Sequence, residues 1–379
     1  MRTDGLKVLI TNIQLVGRTG TEMYVHDLAR ALVRSGHSPV VYCPDQGPLA
    51  KELARNSVPV VDTLDKIRET PDIIHGHHTL QTLAAMLHFP KTPGIFLCHD
   101  FDAWHDTPPI MSRIRRYVAV DQTCADRLVL AEGVDRSQVT ILTNPVDLQL
   151  FQSRTPLPEK PRKAIIFSSY GNRRSIRPIH RACDRLGIEL DTVGRRLGGV
   201  CQEPHKRLPE YDLVFAKGRC AREALAVGCA VVYCDVFGMS FLVTSKEVRD
   251  LNQWGRRALS FPVTEQRLIQ EIERYDAEDA AKVSAYIREH NSTDAIYDQL
   301  IEIYEEVIQQ HQASDPCDHL EELRAMGKMA EWWHVTRNVV QPRPKSLPSR
   351  FVRSAKTWLA KKFRKQTLNP SDSSVRRAA

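Results

Sequence analysis

Lys7-Val8-Leu9-Ile10-Thr11, then Gly17-Arg18-Thr19-Gly20-Thr21-Glu22, then a helical pattern from Glu22 to Arg34 form the stretch that decides the fold. Five residues with an aliphatic run at their centre and no polar alternation predict a strand covered on both faces, as in a parallel sheet. Val25, Leu28, Ala29 and Leu32 then share one face of a helix that Gly36 stops. Strand, glycine turn and helix make the repeating unit of a doubly wound α/β domain. The alternation continues through Pro39 to Cys43, Asp72 to His75, Gly94 to Cys98 and Tyr117 to Val120, each a short apolar run bounded by helical or turn patterns.

Moving outward, Phe151 to Arg162 breaks the rhythm, because Pro156, Pro158 and Pro161 forbid a helix and discourage a central strand. Strand patterns resume at Ala164 to Phe167, Glu189 to Val193, Asp212 to Phe215 and Ala230 to Tyr233, with helices near Ile176 to Leu186 and Arg219 to Ala226. The expected organisation is two Rossmann-like domains, 1–155 and 156–312, the second closed by helices from Glu265 to about Gln310, and an extension at 313–379. Ligands of such sheets bind beyond the carboxyl ends of the strands, so two facing domains share one cleft.

The 379 residues suit two domains plus an appendage, and 42% apolar with 26% charged residues is ordinary for a soluble protein. Neither a signal peptide nor a run of about 18 apolar residues is visible, so the expected location is the cytoplasm. Nine cysteines lie scattered without a CxxC pair, which predicts reduced thiols. The net charge of +7 is uneven: Gln341 to Ala379 holds eleven Lys/Arg against one acid, about +10, leaving the rest near −3. Such a remainder argues against a nucleic-acid partner. Within the tail, residues 349–365 place Phe351, Ala355, Trp358, Leu359 and Phe363 at helical spacing among Lys and Arg. That pattern fits contact with an anionic membrane surface, which would make the protein peripheral on the inner face of the plasma membrane, a helix docked on the protein's own acidic surface, or a disordered solubilising tail.

Two loops carry residues suited to anion chemistry. Gly17 to Glu22 sits before a helix, where Gly20 and Thr21 allow backbone N–H groups to approach a phosphate; the other reading is a plain turn. In the second domain, Phe215-Ala216-Lys217-Gly218-Arg219 runs from a strand end into a helix carrying Glu223. Lys217 and Arg219 there fit a diphosphate, and Glu223 fits a pair of ribose hydroxyls. Alternatively, Glu223 complements the helix dipole and the cations are solvated surface. Neither GxGxxG nor GxxxxGK[ST] is present, so neither a nicotinamide enzyme nor a P-loop ATPase is supported.

These residues resemble the retaining family 4 glycosyltransferases of GT-B fold, over roughly Lys7 to Gln310. Thr19-Gly20-Thr21-Glu22, Leu28 to Leu32 and Gly36-His37 are similar to that family's opening "GGTE … LARAL … GH". Pro71 to His78, His99-Asp100, Tyr117 to Val120 and Asn144 to Phe151 are similar to its "PDIIHxHH", "HD", "xVAVS" and "NGVDxxxF" segments. The resemblance implies transfer of a sugar from a nucleotide-diphosphate sugar to a glycan or lipid-linked acceptor, with retention, in cell-surface polysaccharide synthesis. It implies donor contacts from Gly20, Thr21, Arg173, Arg174, Lys217, Gly218, Arg219 and Glu223. Glu22 and Asp100 are implied on the acceptor side, and His99 as the strand-end histidine that hydrogen-bonds the transferred sugar. Of the family's Glu-x7-Glu pair, the second matches Glu223 and the first falls on Phe215. No cofactor and no metal are expected: His75, His77, His78, His99 and His105 suggest a metal cluster, but the resemblance implies enzymes that need no bound metal, and His75 and His77 would alternate along one strand end. A catalytically inactive homologue that binds a glycan or partner is the rival expectation, and an adaptor acting through the basic tail is a third.

Overall fold

A computed structural model describes residues 5–340 apart from 169–173, 195–196, 198, 200, 254, 256–257 and 315–318. Arg173, Cys317 and the basic segment 349–365 therefore lie outside the described residues. The chain forms two units, Met1–Met326 and Gly327–Ala379. Of the second, residues 327–340 are described, within the helix His319–Val340.

Among the described residues of the first unit, one sheet has seven parallel strands and another has five. The larger runs across its width as Val60–Val61, Ser38–Tyr42, Lys7–Thr11, Ile73–Gly76, Gly94–Cys98, Ile114–Ala119 and Val139–Ile141. Chain order reverses between Lys7–Thr11 and Ile73–Gly76, which pair in parallel, so the crevice of this sheet opens beyond Thr11 and Gly76. The smaller sheet runs Glu189–Val193, Lys163–Phe167, Leu213–Ala216, Ala230–Asp235 and Gly238–Leu242, the last antiparallel. Its order reverses between Lys163–Phe167 and Leu213–Ala216. The mixed α/β architecture with two doubly wound sheets is the one read from the sequence.

The strands are buried for the reason their composition suggests: Ile73, Ile74, Ile95, Phe96 and Leu97 are fully covered, as are Leu213, Val214, Val231 and Val232. In the first helix, Gly20–Arg34, the inward face is Tyr24, Val25, Leu28, Ala29 and Leu32. Gly76 ends its strand where a Cβ would stand 2.4 Å from the Thr82 side chain, so only glycine lets the helix Thr79–His88 pack that closely.

One expectation is corrected here. Helix Thr293–Gln312 was read as closing the second domain, but it lies on the first. Tyr304 bonds His75 at 2.5 Å and Tyr297 packs edge-on to Tyr24. Arg113, 1% exposed, continues the attachment through Glu322 at 2.5 Å and the carbonyls of Met86, Phe89 and Thr92. A buried guanidinium needs that full set of acceptors.

Candidate functional site

The carboxyl end of the first sheet is lined with histidines. Thr11 pins the backbone of His77, donating to its carbonyl at 2.9 Å while accepting from its N–H at 2.9 Å. His77 Nδ1 lies 2.8 Å from His99 Nε2. His99, half-buried, follows the strand Gly94–Cys98, and its N–H and that of Asp100 both donate to Asp106, at 3.1 and 2.7 Å. Burial holds the His75 and His99 imidazoles down at about 3, so both are neutral near pH 7. His99 is thus suited to hydrogen-bond a sugar oxygen rather than to act as a base at that pH.

Asp100 stands at the mouth. Its Oδ1 accepts from the N–H groups of Asp102 and Ala103 at 2.9 and 3.2 Å. Burial works to raise its pKa, but those N–H groups and the charge of Lys217 hold the carboxyl below its ordinary value. Lys217 belongs to the second sheet, so its field reaches Asp100 across the cleft.

On the second side, Lys217 is the residue before the helix Gly218–Val227, directly after the strand Leu213–Ala216. Gly218 has φ +57°, a left-handed backbone that favours glycine. The Lys217 ammonium lies 2.8 Å from Asp235 and 5.5 Å from the centre of the Phe237 ring. Phe237, about half exposed, also borders an open cavity of about 380 Å³ with Arg174, Ser175, Pro178, Val236, Gly238 and Val263. The structure therefore places Lys217 beside the Phe237 ring and Arg174 in the lining of the cavity that Phe237 borders.

Several expectations require correction. Glu22 does not face an acceptor: it is 1% exposed and its carboxylate accepts from the N–H groups of Val16, Gly17 and Thr19 at 2.7–2.9 Å. The Gly17 to Glu22 turn thus supplies its own anion, while Gly20 is exposed and Thr21 partly so. The spacing Thr19-x-x-Glu22 is that of a capping box and was legible as such. Arg219 does not point at open solvent or a phosphate either. It bridges Asp27 of the first helix at 2.6 Å and Glu223 at 2.7 Å. Glu223 therefore sits beneath a guanidinium, 5% exposed, and burial pushes its carboxyl up against the pull of Arg219. Phe215 lies within a strand and the core at 1% exposure, so that position offers no side chain to a donor. Asp27, Asp106 and Asp235 were not singled out in the sequence; each acts through a partner distant in the chain or across a turn.

His78, His105 and Asp106 place donor atoms within 4.8 Å of one another. The Ile13 N–H donates to His78 Nδ1 at 3.1 Å, so Nδ1 offers a lone pair and the ring proton sits on Nε2. That N–H is the one turned to Asp106, 4.0 Å away. A metal at Nε2 would require the opposite tautomer, and the trio does not fit one. The described cysteines are all free.

Two Rossmann-like sheets meeting at their strand ends make the GT-B fold. Residues 18–150 match the sequence model of Glycosyltransferase Family 4. Among solved structures, a glycosyltransferase from Rickettsia africae is 14% identical with a TM-score of 0.59, over 80% of this chain and 99% of that one. Anabaena Alr3699/HepE, solved in complex with UDP and glucose, is 15% identical at TM-score 0.57, over 79% and 100%. Sucrose-phosphate synthase from Thermosynechococcus elongatus is 13% identical at TM-score 0.54, over 80% and 100%. No curated protein sequence matches the chain. Among the described residues no helix is long and apolar enough to cross a membrane.

Proposed function

We propose that this chain is a hexosyltransferase-like enzyme that moves a sugar from a nucleotide-diphosphate sugar to a glycan or lipid-linked acceptor, with retention, in cell-surface polysaccharide synthesis. The observation that carries the reading is Lys217 at the strand end of the second sheet, beside the Phe237 ring that borders a cavity shared with Arg174, its charge reaching Asp100 at the end of the other sheet. The bond to be broken joins the anomeric carbon to the diphosphate oxygen; the electron pair leaves with the nucleoside diphosphate, the acceptor hydroxyl oxygen takes the carbon, and its proton passes to the leaving phosphate oxygen. Charge accumulates on the leaving phosphate, so stabilising it is the main catalytic task. Lys217 supplies a cation by exchanging Asp235 for a phosphate oxygen, and the N-terminus of helix Gly218–Val227 adds its dipole. His99 orients the sugar from the opposite side. Glu223 serves the ribose once Arg219 is drawn aside.

The donor binds without metal in this account, so EDTA leaves activity intact; loss restored by Mn²⁺ or Mg²⁺ contradicts it. UDP is the first nucleotide to test, given HepE. A cytoplasmic place is proposed, with the tail 349–365 resting on an anionic membrane. Cosedimentation with phosphatidylglycerol vesicles at low and high salt, for the full chain and one ending at Gln341, tests this. Both forms staying in the supernatant at low salt refutes it. Phe215 in the core and Arg219 over Glu223 favour the second reading, an inactive homologue that binds glycan or partner; measurable nucleoside-diphosphate binding counts against it.

A further inference from the structure

The histidines beyond the first sheet form a connected group whose protons are not independent. His77 is fully buried and held by Thr11 on both its backbone N–H and carbonyl. Its ring lies within 16° of parallel to that of His99, with centroids 4.9 Å apart and the nitrogens 2.8 Å apart. That is the geometry of an N–H···N bond lying close to the plane of both rings. Tyr24 closes the group from the side, its ring 5.5 Å from His77 and 5.0 Å from His99 and edge-on to both.

Both rings are neutral near pH 7, because burial lowers each. A neutral imidazole has one N–H and one lone pair, so a single bond between two rings links their tautomers. If His99 Nε2 donates, His77 carries its own proton on Nε2. If His77 Nδ1 donates, His77 Nε2 is a lone pair and the His99 proton is on Nδ1. Among the described residues His77 Nε2 is buried without a hydrogen-bond partner. A buried N–H left unbonded is the costlier of the two arrangements, as the rarity of such donors in proteins shows.

We infer that His77 is a positioning residue that fixes His99 as its Nδ1–H tautomer, so that His99 offers the cleft a hydrogen-bond donor and never an acceptor. With Nε2 committed to His77, Nδ1 is the nitrogen left for a ligand. The chemistry it selects is an oxygen with a free lone pair, such as a sugar hydroxyl, held by donation from the ring. The identification of that oxygen as the donor sugar's rests on the proposed function; the tautomer does not. Thr11 then acts at one remove, by fixing the backbone that aims the His77 ring.

The test reads ring protons without substrate, so its failure is separate from failure of the glycosyltransferase reading. Long-range proton–nitrogen correlation spectra of full-length protein carrying ¹⁵N-histidine, assigned with a His99→Gln variant, report which nitrogen of His99 is protonated. Nδ1 is expected in the wild type. His77→Asn keeps an amide N–H near the position of Nδ1 and should preserve that tautomer. His77→Phe removes the donor and should move the His99 proton wholly or partly to Nε2. Protonation of His99 at Nε2 in the wild type overturns the inference, whether or not either variant folds. An unchanged His99 in folded His77→Phe overturns it as well.

Discussion

Removing Asp27 should show how much the bridge between the two sheets contributes. Arg219 lies between Asp27 and Glu223 at 2.6 and 2.7 Å, and the three side chains are only 18%, 11% and 6% exposed. Asp27→Ala deletes one charge-assisted hydrogen bond but leaves Glu223 as a counter-charge. The expected loss is therefore that of a hydrogen bond to a charged group, about 1.5–3 kcal/mol, rather than the 3–5 kcal/mol typical of an uncompensated buried charge. Arg219→Met should cost more, since it leaves two buried carboxylates facing each other. The pH dependence has a definite sign. Burial acts to raise the Asp27 carboxyl, but Arg219 and His26 hold it below its ordinary value of 3.8. Its contribution is present above that value and lost as pH falls through the lower folded one. The gap between wild type and Asp27→Ala should thus be full at pH 7 and narrow below about pH 4. Denaturant unfolding of the full chain at both pH values measures it. A difference under about 0.5 kcal/mol at pH 7, the scale of an exposed pair, would refute the bridge.

Three further outcomes follow from the site. Gly20→Val has open space for its Cβ and should leave the fold intact, yet lower activity at least tenfold if a phosphate approaches the turn; near-normal turnover means Glu22 alone occupies it. Fully buried His75, held down at about 3 against 6.5 when unfolded, loses stability as pH falls below 6.5 because the unfolded chain binds the extra proton. This amounts to roughly 2 kcal/mol between pH 7 and 5, and unfolding curves at both pH values should show His75→Phe losing less stability than the wild type by about that amount, the rest of the slope belonging to the other histidines that burial holds down, His77 and His99 among them. Glu223→Ala should weaken donor binding by about 1.5–3 kcal/mol in calorimetry; an unchanged Kd removes it from the site.

The strands were legible because buried parallel strands are short apolar runs: Lys7–Thr11 and Gly94–Cys98 have the bounds their composition suggests. Val60–Val61 and Val139–Ile141 were not, being too short to show a period. Helix Thr293–Gln312 was visible as a helix, but its periodicity says which face is covered and not which sheet covers it. At the site, Lys217 could be read from strand, glycine and helix in sequence. Arg219 could not, since its partner Asp27 lies 192 residues away. Glu22 was misplaced because the glycine turn drew the reading toward a ligand, although the Thr19-x-x-Glu22 spacing is that of a capping box.

The most direct test of the central claim is a screen of the full-length protein with UDP-, GDP-, ADP- and dTDP-sugars, following release of the nucleoside diphosphate, with Lys217→Ala beside the wild type. The wild type is expected to turn over at least one donor without added metal, and Lys217→Ala to lose that activity by at least tenfold while remaining folded. Absence of both release and calorimetric binding for every nucleotide would contradict it.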